Sequence, residues 1–214
     1  MSLRGVPLVV ACIIGASACG GAAPPPERRV LESSVDDWNF RRYQKLVDVE
    51  VWVPDNKASA YTASYARRDA EKRGRLTSED IVNVFVTEYE QPAGVLRAVV
   101  RFARRLAQES GYAVEEDRLG GQRVLLVTGG GEAWALWGSG RFIVKVGGRG
   151  RTNVPAAIVN AYGDSYPSAL EPGALERPLP EGAAPTKEPE AEPYDPANPT
   201  PDFDAGKKRK RRRN

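Results

Sequence analysis

The stretch YAVEEDRLGGQRVLLVTGGGEAWALWGSGRFIVKV, residues 112–146, decides the architecture. Runs rich in Val, Leu, Trp and Ile are broken by Gly120-Gly121, Gly129-Gly130-Gly131 and Gly138-Ser139-Gly140. Glycines at this even spacing read as hairpin turns, because tight connections between antiparallel strands need backbone angles that glycine adopts without steric cost. The stretch predicts strands over 112–118, 123–128, 133–137 and 142–146, joined as a meander.

Working upstream, residues 92–110 form the clearest element. Pro92 opens it, Leu96, Val99, Val100, Ala103, Leu106 and Ala107 recur at helical spacing, and Gly111 closes it. Before it, 81–89 is rich in Val, Phe and Thr and reads as a strand. Residues 58–73 are read as a helix from their alanines and later charges, against Ser59, Tyr61, Thr62 and Tyr65, which suit a strand. Val47, Val49, Val51 and Val53 alternate with Asp48, Glu50 and Trp52, the pattern of a half-buried strand over 46–53. Downstream, a last helix starts near Asn153 with Pro155 in its first turn. The resulting order, β-α-β-α-β-β-β-β-α, predicts an α+β fold: an antiparallel sheet of about five to six strands with two to three helices packed on one face.

Composition bounds the chemistry. The 214 residues include no His, which excludes imidazole general bases, His-containing triads and His-ligated metals. Both cysteines, Cys12 and Cys19, precede the folded region, so no disulfide framework or iron–sulfur site is expected in its body. The net charge of +3 is unevenly placed: residues 30–171 carry 19 acidic and 19 basic side chains, 172–206 eight acids and two bases, and 207–213 seven consecutive bases. The pI of 8.9 thus reflects the final run rather than a basic domain.

Residues 1–18 read as an export signal, with Arg4 ahead of an apolar run and then Gly15, Ala16, Ser17 and Ala18. Ala16-Ser17-Ala18-Cys19 resembles the lipobox of bacterial lipoproteins, with Ala16 standing where that motif carries a branched aliphatic residue. The resemblance implies lipidation of Cys19, a membrane partner through the lipid anchor, and the outer rather than the inner membrane of a cell envelope, since Gly20 is not the aspartate of an inner-membrane retention signal. Ala16 and Ala18 equally fit an ordinary A-x-A cleavage site, which would release a soluble chain.

The division expected is 1–18 signal peptide, 19–32 lipidated Cys19 with a Pro-rich spacer lifting the domain off the membrane, 33–171 one globular domain, and 172–214 a disordered acidic, Pro-rich tail. The tail ends in Lys207, Lys208, Arg209, Lys210, Arg211, Arg212 and Arg213. In an envelope the partners of such a run are anionic polymers or an envelope protein, not nucleic acid, unless it folds back on the acidic stretch 188–204.

Sites are few. Arg149 and Arg151 in the glycine-rich joint before the last helix are candidate anion contacts, set against a plain tight turn. Gly138-Ser139-Gly140 lacks both nucleophile-elbow spacing and a histidine partner. The carboxylates Asp36-Asp37, Glu79-Asp80 and Glu115-Glu116-Asp117 read as solvated charges. Trp134 and Trp137 have opposite strand parity, and one exposed tryptophan is expected to mark a contact site. No catalytic, cofactor or metal set is legible. The sequence therefore reads as a non-enzymatic envelope binding or scaffold module, the alternative being a carboxylate-based hydrolase acting on glycans.

Overall fold

The computed structural model describes residues 22–46, 48–109 and 111–178. Cys19 and the run Lys207–Arg213 lie outside the described residues. Chain order is β1 (Trp38–Leu46), β2 (Ala58–Arg67), α1 (Arg68–Lys72), a 3-10 turn (Ser78–Asp80), β3 (Ile81–Tyr89), α2 (Val95–Gln108), β4 (Tyr112–Leu119), β5 (Gln122–Gly129), β6 (Glu132–Ser139), β7 (Phe142–Arg149) and α3 (Ala156–Ser165). The strands make one antiparallel sheet in the order β1-β2-β3-β7-β6-β5-β4. The α+β class and the four-strand meander stand, with seven strands rather than five to six.

Opposed residues in an antiparallel ladder share a face and neighbours along a strand alternate, so the register assigns each side chain. Ala63, Tyr65, Val82, Val84, Val86, Val144, Val146, Ala135 and Trp137 share one face. Ala60, Phe85, Thr87, Ile143, Lys145, Trp134, Leu136 and Leu125 share the other. Helix α3 covers the first face: the Trp137 indole donates to the Tyr166 carbonyl at 2.7 Å, just beyond the helix. Helix α2 covers the second, where Leu96 Cδ1 lies 3.1 Å from the place a Cβ on Gly138 would take. The two long helices therefore sit on opposite faces instead of sharing one, as the parity of adjacent Trp137 and Gly138 requires.

Two element assignments are corrected. The first strand is Trp38–Leu46, and the valines that follow lie in a connection, because the edge beside β2 is already taken. Its charged sequence, WNFRRYQKL, hid it, yet charges are what an edge strand carries to discourage pairing with other chains. Residues 58–67 are strand β2, and only Arg68–Lys72 is helical. Paired on both sides by β1 and β3, the segment buries Ala60, Ala63, Tyr65 and Ala66, and this packing overrides alanine's helix preference.

The spacer is also not free of the domain. Residues 23–31 form a strap across the α3 face: Ala23 N–H donates to the Asp164 carbonyl at 2.8 Å, Val30 is buried, and Leu31 N–H donates to the Tyr162 hydroxyl at 3.0 Å. The Tyr166 hydroxyl donates to the Arg29 carbonyl at 2.8 Å, and the Tyr65 hydroxyl to the Leu31 carbonyl at 2.5 Å. At the other end, the first tail residues fold back on β4 and α2. Glu116 accepts the amides of Gly173 (2.8 Å) and Leu175 (2.6 Å), and Arg104 donates to the Ala174 and Arg177 carbonyls. The packed unit thus runs from about residue 22 to 177, wider than 33–171 on both sides.

Gly120 is needed where it stands. Its φ of 53° is left-handed, and a Cβ there would meet the Ala156 carbonyl oxygen and lie 2.6 Å from Asn160 N. The β4–β5 turn can close on α3 only with no side chain at this position.

Candidate functional site

Of the residues singled out as anion contacts, the two described ones are not brought together. Arg149 ends β7 with its side chain 92% exposed and its Nε 3.8 Å from a Glu132 carboxylate oxygen. Arg151 turns inward beneath Trp38, its guanidinium carbon 5.2 Å from that ring centroid. It donates to the carbonyls of Glu79, Ile81 and Asn153 and to Asn153 Oδ1, so its hydrogen-bonding capacity serves the main chain. Burial lowers its pKa from the ordinary arginine value. The glycines of this joint have a packing role: Gly147 and Gly148 continue β7, and a Cβ on Gly147 (φ 154°) would strike the Ala133 carbonyl of the neighbouring strand. Gly150 N–H is spent on the Gly131 carbonyl at 2.6 Å.

Of the carboxylates, Asp36, Asp37, Glu79, Glu115 and Asp117 are exposed, whereas Asp80 and Glu116 are structural. Asp80 accepts from the Thr77 amide (3.0 Å) and hydroxyl (2.7 Å), closing a capping box ahead of β3. Those bonds, the amide first, hold its carboxyl below the usual range. Glu116 holds the 173–175 turn, while Glu115, one residue away, is exposed on the opposite face of β4. The opposite parity of the two β6 tryptophans does not bring either of them to the surface. Both are buried, Trp137 at 0% exposure and Trp134 at 8%, on opposite faces.

The exposed tryptophan is Trp52, at 51%, beside Trp38, Trp134 and Trp137, which are all buried. It sits in the connection between β1 and β2, where Val51 and Val53 turn inward and Trp52 outward. This is the alternation read as a strand, satisfied by a loop. The loop is pinned in several places: the Tyr89 hydroxyl donates to the Val51 carbonyl at 2.5 Å, and Asn56 donates to the Gln91 carbonyl (2.8 Å) and accepts the Gln91 amide (3.1 Å). Val53 packs against the start of α2, with Cγ1 3.3 Å from the Cβ position of Gly94. Burial raises the Tyr89 hydroxyl well above its ordinary pKa, so it stays a neutral donor through the physiological range.

Between this loop and the α2 face of the sheet lies a cavity of about 110 Å³, floored by Leu46, Ala60, Phe85, Leu136 and Ile143 and rimmed by Asp48, Glu50, Thr87 and Lys145. Lys145 spans it. Its Nζ reaches both Glu50 carboxylate oxygens, at 2.6 and 2.7 Å, and lies 4.2 Å from the Trp134 ring centroid and 5.9 Å from that of Phe85. An ammonium over an indole face and against a carboxylate is doubly stabilised, and here it ties loop to sheet. Trp134 Nε1 is buried and makes no hydrogen bond.

The sequence predicts an exposed tryptophan without singling out Trp52, and nothing in it predicts the cavity. Phe85 and Lys145 are brought together by the β3–β7 pairing, and Glu50 by the β1–β2 connection folding over that part of the sheet. Among the described residues no group of three or more Asp, Glu, Cys or His is placed to hold a metal ion. The chain matches no protein-family model, and neither the curated proteins nor the solved structures contain a match to it.

Proposed function

We propose that this chain is a lipid-anchored protein of a bacterial cell envelope that works as a non-enzymatic binding module, with its contact surface centred on Trp52. The observation that carries the reading is a large aromatic side chain 51% exposed on a loop held by two buried valines and the Tyr89 hydroxyl. A solvent-facing tryptophan on a pinned loop has the character of an interface anchor, because it offers much apolar area to a partner. Lipidation at Cys19 supplies the localisation, and the run Lys207–Arg213 a second, electrostatic contact to anionic envelope polymers.

The test has two parts. Intact mass of the mature protein from its native membrane fraction should carry acyl mass on Cys19. A photo-crosslinking residue in place of Trp52, in living cells, should give one defined adduct that the same residue in place of Glu115 does not. An unmodified soluble chain removes the anchor. Loss of the adduct, or hydrolytic activity in the pure protein that one point mutation abolishes, removes the binding-module reading.

A further inference from the structure

The strap and the Trp52 loop lie on opposite faces of the sheet. The strap crosses the face of Tyr65, Tyr162 and Trp137, while the loop closes over Ala60, Phe85 and Leu136. Cys19 precedes the docked Ala23 by four residues, which span at most about 14 Å even fully extended. A lipid on Cys19 would therefore hold the start of the strap within about 14 Å of the bilayer, favouring approach by the strap face.

The side chains along that face suit such a neighbour. Arg28 in the strap stacks over Tyr43 of β1 with its guanidinium carbon 5.3 Å from the ring centroid, and Lys45 lies over Tyr61 of β2 at 5.8 Å. By register Tyr43 and Lys45 share the strap's face. Both rings are half-buried, the two cations point to solvent, and among the described residues Arg28 is ion-paired with the exposed Glu32, at 3.1 Å. Aromatic rings capped by basic groups suit the headgroup layer, where rings meet the apolar boundary and cations meet lipid phosphates. Of the basic residues of edge strand β1, Lys45 shares the strap's face, Arg42 lies by register on the other, and Arg41 is ion-paired with Glu71 at 2.7 Å.

We propose that the strap face, around Arg28, Tyr43, Lys45 and Tyr61, is a membrane-seating surface for anionic phospholipid, and that it turns the Trp52 loop away from the bilayer. This rests on the anchor at Cys19. It replaces the spacer's expected role: the proline-rich residues hold the domain down instead of lifting it. Glu27, Glu32 and Asp164 also lie on this side, so the attraction is local to the two stacked cations, Arg28 and Lys45.

The decisive measurement is hydrogen–deuterium exchange on the mature chain from Cys19 onward, with and without residues 207–214. The Cys19 thiol is coupled to a maleimide phospholipid in vesicles of phosphatidylcholine alone or mixed with phosphatidylglycerol. On the mixed vesicles residues 22–46 should exchange several-fold more slowly than in the uncoupled chain, residues 48–56 should be unchanged, and removing 207–214 should not alter the contrast. Arg28→Gln with Lys45→Gln should abolish the slowing while circular dichroism stays the same. No slowing over 22–46, or equal slowing over 48–56, overturns the proposal. Coupling supplies the anchor artificially, so these results test the surface itself. An unmodified native Cys19 would instead refute the anchor.

Discussion

The hydroxyl oxygens of Tyr65 and Tyr162 lie 2.8 Å apart, on side chains 97 residues distant in sequence, and together they hold Leu31 by its amide and its carbonyl. Tyr162→Phe leaves the Leu31 amide without its partner, and Tyr65→Phe removes the donor to its carbonyl. Each should cost about 1–2 kcal/mol, and the double variant less than their sum because the hydroxyls are bonded to each other. Urea denaturation of the four proteins gives the coupling. Protease cutting within 22–32 should accelerate in the same order.

The same tyrosines set a pH limit. Burial raises the Tyr65 hydroxyl from 10.0 to about 12, and burial also moves Tyr89, Tyr162 and Tyr166 upward. The folded chain keeps these protons longer than the unfolded chain does. Their contribution to stability is therefore complete below pH 10.0 and is lost as pH rises through about 12, the folded value for Tyr65. Thermal melts should fall steeply across that interval, and Tyr65→Phe should make the fall shallower.

Arg151 is a structural cation. Arg151→Met keeps some packing against Trp38 but leaves the carbonyls of Glu79, Ile81 and Asn153 with fewer donors, and should cost about 2–4 kcal/mol. Arg149→Met at the exposed end of β7 should change stability by less than about 0.5 kcal/mol. Chemical denaturation of the two variants separates a site that binds the chain from one that binds solvent.

Gly120→Ala tests the turn against α3. The added methyl would overlap the Ala156 carbonyl in a left-handed backbone, so a loss of about 3 kcal/mol or more is expected. Gly131→Ala, also left-handed but with nothing within 4 Å of its Cβ, should lose only about 1 kcal/mol. Equal losses would mean that backbone angle, not contact with the helix, sets the requirement.

Lys145→Met removes the cation from the Trp134 ring and from Glu50 while keeping the side chain's length. Glu50 is half exposed, so the ion pair itself contributes little, and stability should drop by less than about 1 kcal/mol. Trp134 emission should change in wavelength and yield, and the amides of 48–53 should exchange faster as the loop loses its tie to β7.

Sequence patterns that depend on neighbours in the chain were legible: the glycine turns of the meander, the apolar stripe of α2 and the valines of β3 all stand as read. What was hidden depends on partners far away. Val51 and Val53 bury themselves in either a strand or a pinned loop, and only the prior claim of Trp38–Leu46 on the edge of β2 decides between them. Proline and alanine at 22–26 read as a spacer because the tyrosines that receive the strap lie more than 30 residues on. Both arginines of the glycine joint looked alike in sequence. Position 149 closes a strand at the surface and position 151 follows it inward, a difference of pleat and turn with no local signature.

The strap also orders events in time. Arg29 and Leu31, early in the chain, find their partners in Tyr166 and Tyr162, 137 and 131 residues later, near the domain's end. A ribosome-bound chain that has made Tyr65 but not α3 can hold only the Leu31 carbonyl, and the loop closed by full docking is nearly the whole domain. Assembly must then wait for α3 to emerge. The strap is thus the non-local closure of a sheet whose strands pair mostly with their sequence neighbours, and its residues stay undocked for as long as the last helix is missing.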